Sequence, residues 1–164
     1  MNAKIADSEI FTHETAGGIV VERVRHLTAY KGAIETYIDA LNERRGAVFS
    51  SNYEYPGRYT RWDTAIVDPP VVITSRNRQM RIEALNKRGT ILLRPILKTV
   101  QALAEVKVDK ASEDLIELTI AEPTGTFTEE ERSRMPSVFT VLRAIVGLFF
   151  SEEDANLGLY GAFG

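Results

Sequence analysis

The sequence predicts an α+β fold in which an antiparallel sheet packs against several helices. Short segments rich in β-branched residues alternate between apolar and polar side chains, which predicts strands. Longer segments place apolar residues at the spacing of one helix face. The chain has 164 residues, of which 44% are hydrophobic and 26% charged. This size and composition are typical of a globular domain with a hydrophobic core.

The first predicted elements follow an extension over residues 1–14 and open a domain over residues 15–164. Residues 19–27, IVVERVRHL, are β-branched and partly alternating, so they predict a strand. Residues 32–45 predict a helix whose apolar face recurs at positions i, i+3, i+4 and i+7. That face consists of Ile34, Tyr37, Ile38 and Leu41. Gly46 is the expected end of this helix.

The middle of the chain predicts an antiparallel meander of three strands. These strands are expected over residues 59–66, 71–75 and 79–84, after an earlier strand that begins at residues 47–49. Proline, glycine or asparagine interrupts the pattern and predicts turns at residues 55–57, 68–70, 77–78 and 87–89. The meander and the flanking helices together give the predicted fold class.

The second half of the chain predicts further helices and strands. Residues 91–105 predict a helix with Ile96, Val100 and Leu103 on one face, and residues 115–120, LIELTI, predict a strand. A capping-box pattern at 128–131 predicts a short helix, and residues 136–150 predict an apolar helix buried on more than one face. An acidic loop and an apolar strand are expected over residues 151–156 and 157–163. Because natural ends usually lie in polar segments, we expect the chain to be truncated.

Composition excludes several classes of function. The chain has no cysteine, two histidines and a net charge of −3. These counts exclude disulfides and thiolate chemistry, and they provide no basic field for nucleic acid. No apolar run approaches the roughly 20 residues of a membrane span, and no secretory signal opens the sequence. We therefore expect a cytoplasmic protein without nucleic-acid or membrane partners.

Residues 49–62, FSSNYEYPGRYTRW, concentrate aromatic, hydroxyl, amide and arginine side chains. Three motifs in and around this segment follow in order: Val48-Phe49-Ser50-Ser51, Gly57-Arg58-Tyr59-Thr60 and Asp68-Pro69. With the tail GLYGAFG at residues 158–164, they resemble the amino-terminal part of anthranilate synthase component I. The resemblance is strongest to the fused rhizobial type, in which a glutamine amidotransferase domain follows. It covers nearly all of the chain from residue 15 onward.

The resemblance implies the amino-terminal portion of the chorismate-utilising fold. Members of the family are lyases of tryptophan biosynthesis. They convert chorismate and glutamine or ammonia to anthranilate and pyruvate, and they require Mg²⁺. Its chorismate and Mg²⁺ residues lie beyond Gly164, and its glutaminase needs a cysteine. The resemblance therefore implies no catalytic residue and no metal ligand in this chain, so we expect the fragment alone to be inactive. Its implied partners are the chorismate-binding and amidotransferase domains, and a homodimer stays open.

The resemblance places the tryptophan feedback-inhibition site in this part of the family. The residues that it implies are Val48, Ser50, Ser51, Asn52, Arg58 and Arg61. Tryptophan needs an apolar slot for its indole, acceptors for its ammonium and donors for its carboxylate. The valine suits the slot, the serines and the asparagine supply short polar groups, and either arginine suits the carboxylate. Ser50 stands where the family often has glutamate, so backbone carbonyls or Glu54 are the expected substitutes.

Other interpretations stay open. The chain could belong to a sister enzyme that makes aminodeoxychorismate, isochorismate or a phenazine precursor, or it could be a stand-alone binding module. As an alternative to the ligand site, residues 49–62 could form a surface hairpin with tyrosine–arginine stacking. His13 and His26 are expected to fill surface or strand positions, and Glu129-Glu130-Glu131 to begin a helix, rather than to bind metal. The arginines at 76, 78 and 81 are expected to form a solvated hairpin face, with an anion or domain contact as the alternative.

Overall fold

The fold is described by a computed structural model for residues 8–29, 31–51, 55, 57, 62–123, 125, 128, 130 and 135–152. The described residues form eight strands and three helices, with antiparallel sheets. The predicted α+β fold class is therefore confirmed. The chain divides into two compact units, of which the first comprises Met1–Phe11 and Val24–Pro69 and the second comprises Thr12–Arg23 and Pro70–Gly164.

The elements follow in chain order and are numbered by type. The strands are β1 (Ser8–Glu14), β2 (Val20–His26), β3 (Gly46–Ser51), β4 (Trp62–Val67), β5 (Val71–Arg76), β6 (Gln79–Ala84), β7 (Val106–Ala111) and β8 (Leu115–Ile120). The helices are α1 (Ala33–Ala40), α2 (Lys87–Gln101) and α3 (Val138–Leu148). β1 and β2 form a two-stranded sheet, β3 and β4 form another, and the remaining strands form a four-stranded sheet.

The first unit contains α1 and the β3–β4 sheet. The two strands pair antiparallel, from Gly46 opposite Val67 to Ser51 opposite Trp62. Gly46 begins β3, so the prediction that it ends the preceding helix is wrong; α1 already ends at Ala40. Glycine is required there because a Cβ would lie 2.0 Å from the carbonyl oxygen of Ile66. The close approach of the two backbones thus fixes where the ladder begins.

The second unit contains the four-stranded sheet with α2 and α3 against it. Its strand order is β5-β6-β8-β7, and every neighbouring pair is antiparallel. The sheet face that carries Met80 and Ile82 is buried, as the alternation of β6 predicted. The hydrophobic core joins both central strands to both helices and consists of Met80, Ile82, Leu93, Ile96, Val100, Ile116, Leu118, Ile120, Val141 and Ile145. Burial of this apolar surface is the main stabilising term of the unit.

The predicted three-strand meander is wrong in its pairing. β4 pairs with β3 rather than with β5, whereas the β5–β6 hairpin is confirmed, with Asn77 at a left-handed φ of 55°. The turn predicted at residues 87–89 is also wrong, since these residues form the first turn of α2. The side-chain oxygen of Asn86 accepts hydrogen bonds from the amides of Arg88 (3.0 Å) and Gly89 (3.2 Å) and so caps the helix.

Some predictions fall outside the described residues. These are the carboxyl-terminal strand at 157–163 and parts of the 55–57 turn, of the 128–131 helix start and of the acidic loop. The domain boundary between residues 14 and 15 stays a prediction, although residues 8–14 form a strand that the sequence pattern did not predict. In the part of the chain that is described, no helix is long and apolar enough to cross a membrane.

Candidate functional site

Strand β3 carries three of the six residues predicted for the ligand site. Successive side chains of a strand point to opposite faces, so Val48 and Ser50 share one face. Ser51 lies on the other face, with Phe49. Val48 and Ser51 are half-buried, whereas Ser50 is exposed. The structure therefore brings two of the predicted residues together and separates the third by the pleat of the strand.

The neighbouring strand adds an acidic residue to the face of Val48 and Ser50. Ser50 lies directly opposite Asp63, and Val48 lies directly opposite Ala65. The Ser50 hydroxyl donates a hydrogen bond to Oδ1 of Asp63. The face thus carries an apolar pair beside a hydroxyl–carboxylate pair. We refer to Val48, Ser50, Asp63 and Ala65 as the β3–β4 patch.

Asp63 was missed by the sequence analysis, which considered Glu54 and backbone carbonyls as acceptors for an ammonium group. Asp63 lies outside the three family motifs, so no motif drew attention to it. The available signal was the two strands on either side of the 55–57 turn, but only their register brings Ser50 to Asp63. The other predicted site residues, Asn52, Arg58 and Arg61, lie outside the described residues, as does Glu54.

The opposite end of the same ladder holds an ion pair with a structural role. The Arg44 guanidinium donates to the Asp68 carboxylate, and this hydrogen bond raises the pKa of Arg44. The amide of Asp68 also donates to the carbonyl of Arg45 at 2.8 Å. Asp68 has a left-handed φ of 54°, so these contacts hold the turn that follows β4. This arginine is occupied at the end of the ladder remote from Ser50.

The arginines of the β5–β6 hairpin do not form a uniform solvated face. Arg78 is half-buried, and its guanidinium donates to the carbonyls of Ala121 (2.8 Å) and Pro136 (3.1 Å). The expected solvated role is therefore wrong for Arg78, which joins the hairpin to the segments after β8 and before α3. Arg81 pairs with Glu83 at 2.9 Å and Glu117 at 2.6 Å, and these contacts raise its pKa. Arg76 is exposed.

The two histidines differ in environment. His13 on β1 is buried, with 6% of its surface exposed, and His26 at the end of β2 is exposed. Among the described residues, no group of three or more histidine, aspartate or glutamate side chains is arranged to hold a metal ion. Of the three consecutive glutamates, only Glu130 is described. Within the described part of the chain, the β3–β4 patch is where two of the predicted ligand-site residues, Val48 and Ser50, lie on one strand face.

The α+β fold and the order of the sequence motifs together indicate a protein of the anthranilate synthase component I class. No family model matches the chain. It is, however, 41% identical over 150 residues to an anthranilate synthase of Azospirillum brasilense, and the match covers 92% of this chain. The chain is therefore related to anthranilate synthase over nearly its whole length. It spans 20% of the length of that relative.

Proposed function

We propose that this chain is the amino-terminal regulatory portion of an anthranilate synthase and that it binds tryptophan beside β3. In the complete protein, which converts chorismate to anthranilate, bound tryptophan would inhibit the reaction. The observation that carries the proposal is the 41% identity to the Azospirillum brasilense enzyme over 92% of the chain. The catalytic residues, the Mg²⁺ ligands and the amidotransferase would belong to other parts of that protein.

The β3–β4 patch has the chemistry that a free amino acid requires. Ligand sites combine an apolar lining with a few polar groups that fix the orientation of the ligand. Val48 and Ala65 offer the apolar lining, and Ser50 with Asp63 offers a hydroxyl and a carboxylate on the same face. The carboxylate of tryptophan would pair with Arg58 or Arg61, since a guanidinium can bind a carboxylate through two parallel hydrogen bonds.

Inhibition requires that tryptophan bind two states of the enzyme with different affinity. A ligand shifts an equilibrium only by its differential affinity for the two states. A coupling free energy of about 1–3 kcal/mol would give roughly 5- to 150-fold control. The regulatory portion therefore needs to change little, provided that its tryptophan-bound arrangement disfavours the state that binds chorismate.

The test is the activity of the full-length protein, from chorismate and ammonia to anthranilate, measured against tryptophan concentration. Val48→Phe should place a bulky side chain on the strand face that also carries Ser50 and Asp63, and it should raise the half-inhibitory tryptophan concentration by about tenfold or more. Activity without tryptophan should be retained, because no catalytic residue is assigned to this chain. The introduced phenyl ring would compete with the indole rather than with chorismate.

The matched control is Val72→Phe, the same change at a half-buried strand position in the second unit. It should leave the inhibition curve unchanged. An unchanged curve for a folded Val48→Phe protein would contradict the proposed site. A chorismate-derived product other than anthranilate would contradict the proposed activity, and it would favour a sister enzyme of the same fold.

A further inference from the structure

We propose that the Asp63 carboxylate, oriented by Ser50, is the group that binds the ammonium of the amino-acid ligand. The inference rests on the proposed function, because it assigns one end of the ligand within the same site. Its starting point is the cross-strand pair in which the Ser50 hydroxyl donates to Oδ1 of Asp63. Asp63 belongs to none of the motifs that indicated the site.

The chemistry of the pair suits an ammonium group. A serine hydroxyl is neutral and has one donor, so Ser50 alone cannot balance a positive charge. An ionised carboxylate has two oxygens with about four lone-pair positions, so it can accept from Ser50 and from a ligand at once. Hydrogen bonds between charged groups are also shorter and stronger than neutral ones. Ser50 donates to one of these oxygens and so acts as a positioning residue that helps to hold the Asp63 carboxylate in place.

The position of the pair sets the direction of the ligand. Residues two apart on a strand share a face and are separated by about 7 Å. Val48 and Ala65 consequently lie one such step along the β3–β4 patch from Ser50 and Asp63. An amino acid with its ammonium at Asp63 can place an apolar side chain against Val48. The patch thus fits an amino acid with a large apolar side chain better than an anionic or purely apolar ligand.

The experiment compares two ligands on the full-length protein by titration calorimetry. L-tryptophan carries the ammonium, and indole-3-propionate has the same ring and carboxylate without it. Wild-type protein should bind L-tryptophan about tenfold or more tightly than indole-3-propionate. Asp63→Asn should weaken L-tryptophan binding by about tenfold and change indole-3-propionate binding less than about twofold. Ser50→Ala should weaken L-tryptophan binding by a smaller factor.

A matched control comes from the second unit, where Asp109 accepts a hydrogen bond from Thr119 on the neighbouring strand at 2.6 Å. Asp109→Asn likewise removes a carboxylate that accepts from a hydroxyl on the neighbouring strand, and it should change neither affinity. If Asp63→Asn binds L-tryptophan as wild type does, or loses both ligands equally, the inference is overturned while the proposed site stands. If wild-type protein binds no L-tryptophan, the proposed function itself is wrong. If Asp63→Asn fails to fold, Ser50→Ala tests the inference with the same two ligands, because loss of the hydroxyl that contacts Asp63 should weaken L-tryptophan binding and leave indole-3-propionate binding unchanged.

Discussion

At the scale of single residues, exposed hydrogen bonds determine the pKa of individual aspartates. The Thr119 hydroxyl donates to Asp109, and this contact, with a further one from Lys107, lowers the pKa of Asp109. The charged carboxylate is thus favoured in the folded state. Its contribution to stability is present above the pKa of the unfolded chain and is lost as pH falls through the lower, folded pKa.

We therefore expect Thr119→Val to raise the pKa of Asp109 toward its usual value. The measurement is an NMR titration of the side-chain carboxyl groups, carried down through the acidic range in which aspartates titrate. Asp114 is the internal control, because the Ser112 hydroxyl is the main cause of its lowered pKa. Its titration should not move in the variant. An unchanged Asp109 titration would show that Thr119 does not set this pKa.

Two glycines in helices should respond in opposite ways to the same substitution. Gly89 lies in the first turn of α2, and a Cβ there would stand 2.0 Å from the carbonyl oxygen of Pro70. Gly147 lies in the last turn of α3, where a Cβ would meet nothing within 4 Å. A clash with backbone must be relieved by moving an element, whereas alanine in open helix has the better intrinsic propensity.

Gly89→Ala is thus expected to lower the free energy of unfolding by about 2 kcal/mol, while Gly147→Ala raises it by up to about 1 kcal/mol. Urea denaturation of both variants beside wild type measures the difference. Because the chemical change is the same, the opposite signs would isolate the effect of the local contact. A Gly89→Ala protein as stable as wild type would argue against the close packing of α2 on residue 70.

At the scale of elements, the start of α2 depends on a capping residue, Asn86, and the turn-like composition of the residues that follow it hides this start in the sequence. The sequence Lys87-Arg88-Gly89 is typical of a turn, so the sequence pattern predicts a helix that starts only at residue 91. Asn86 overrides that composition, because its side chain satisfies two amides that the first helical turn leaves without partners. A sequence pattern of apolar residues detects the buried middle of a helix but does not detect its cap.

The cap gives a direct prediction. Asn86→Ala should lower the free energy of unfolding by about 1 kcal/mol, because two amide donors at the start of α2 lose their acceptor. Asn86→Asp keeps an acceptor in the same place and should stay close to wild type. Chemical denaturation monitored by far-UV circular dichroism compares the three proteins. Equal losses in both variants would mean that the amide nitrogen of Asn86, rather than its oxygen, is what stabilises the helix.

At the scale of the whole molecule, the sequence predicted which sides of the strands are buried better than it predicted which strands pair with each other. Apolar alternation correctly identified the buried sides of β6 and β8, since burial leaves a local pattern. Strand pairing leaves no such local pattern. β8 lies between β6 and β7, and β4 pairs with β3, from which residues 52–61 separate it in the chain. The same limit applies to the site. Ser50 could be found from a motif, but its contact with Asp63 depends on register.

The buried core is unevenly distributed between the two units. Among the described residues, every buried hydrophobic side chain lies in the second unit, on β6, β8, α2 and α3. The residues of the first unit whose burial is described, which leaves out Trp62, are half-buried or exposed. Few buried apolar contacts and accessible backbone hydrogen bonds are the marks of low local stability. Among the described residues, the segment that carries the proposed ligand site has few buried apolar contacts, so we expect it to open more readily than the second unit, which suits the proposed binding of a ligand.

This distribution predicts two levels of amide hydrogen exchange in the full-length protein. The amides of Ile82, Ile116 and Leu118 should exchange only on unfolding of the second unit, because they lie in its central strands and their side chains are buried. The amides of β3 and β4 should exchange faster, by about tenfold or more, through local opening of their two-stranded sheet. Mass spectrometry of peptides covering residues 46–51 and 115–120 measures both rates.

Of these two peptides, saturating tryptophan should slow exchange only in the one from β3, because a ligand that binds the closed sheet stabilises it by mass action. Equal protection of the two peptides without ligand would contradict the uneven stability of the two units.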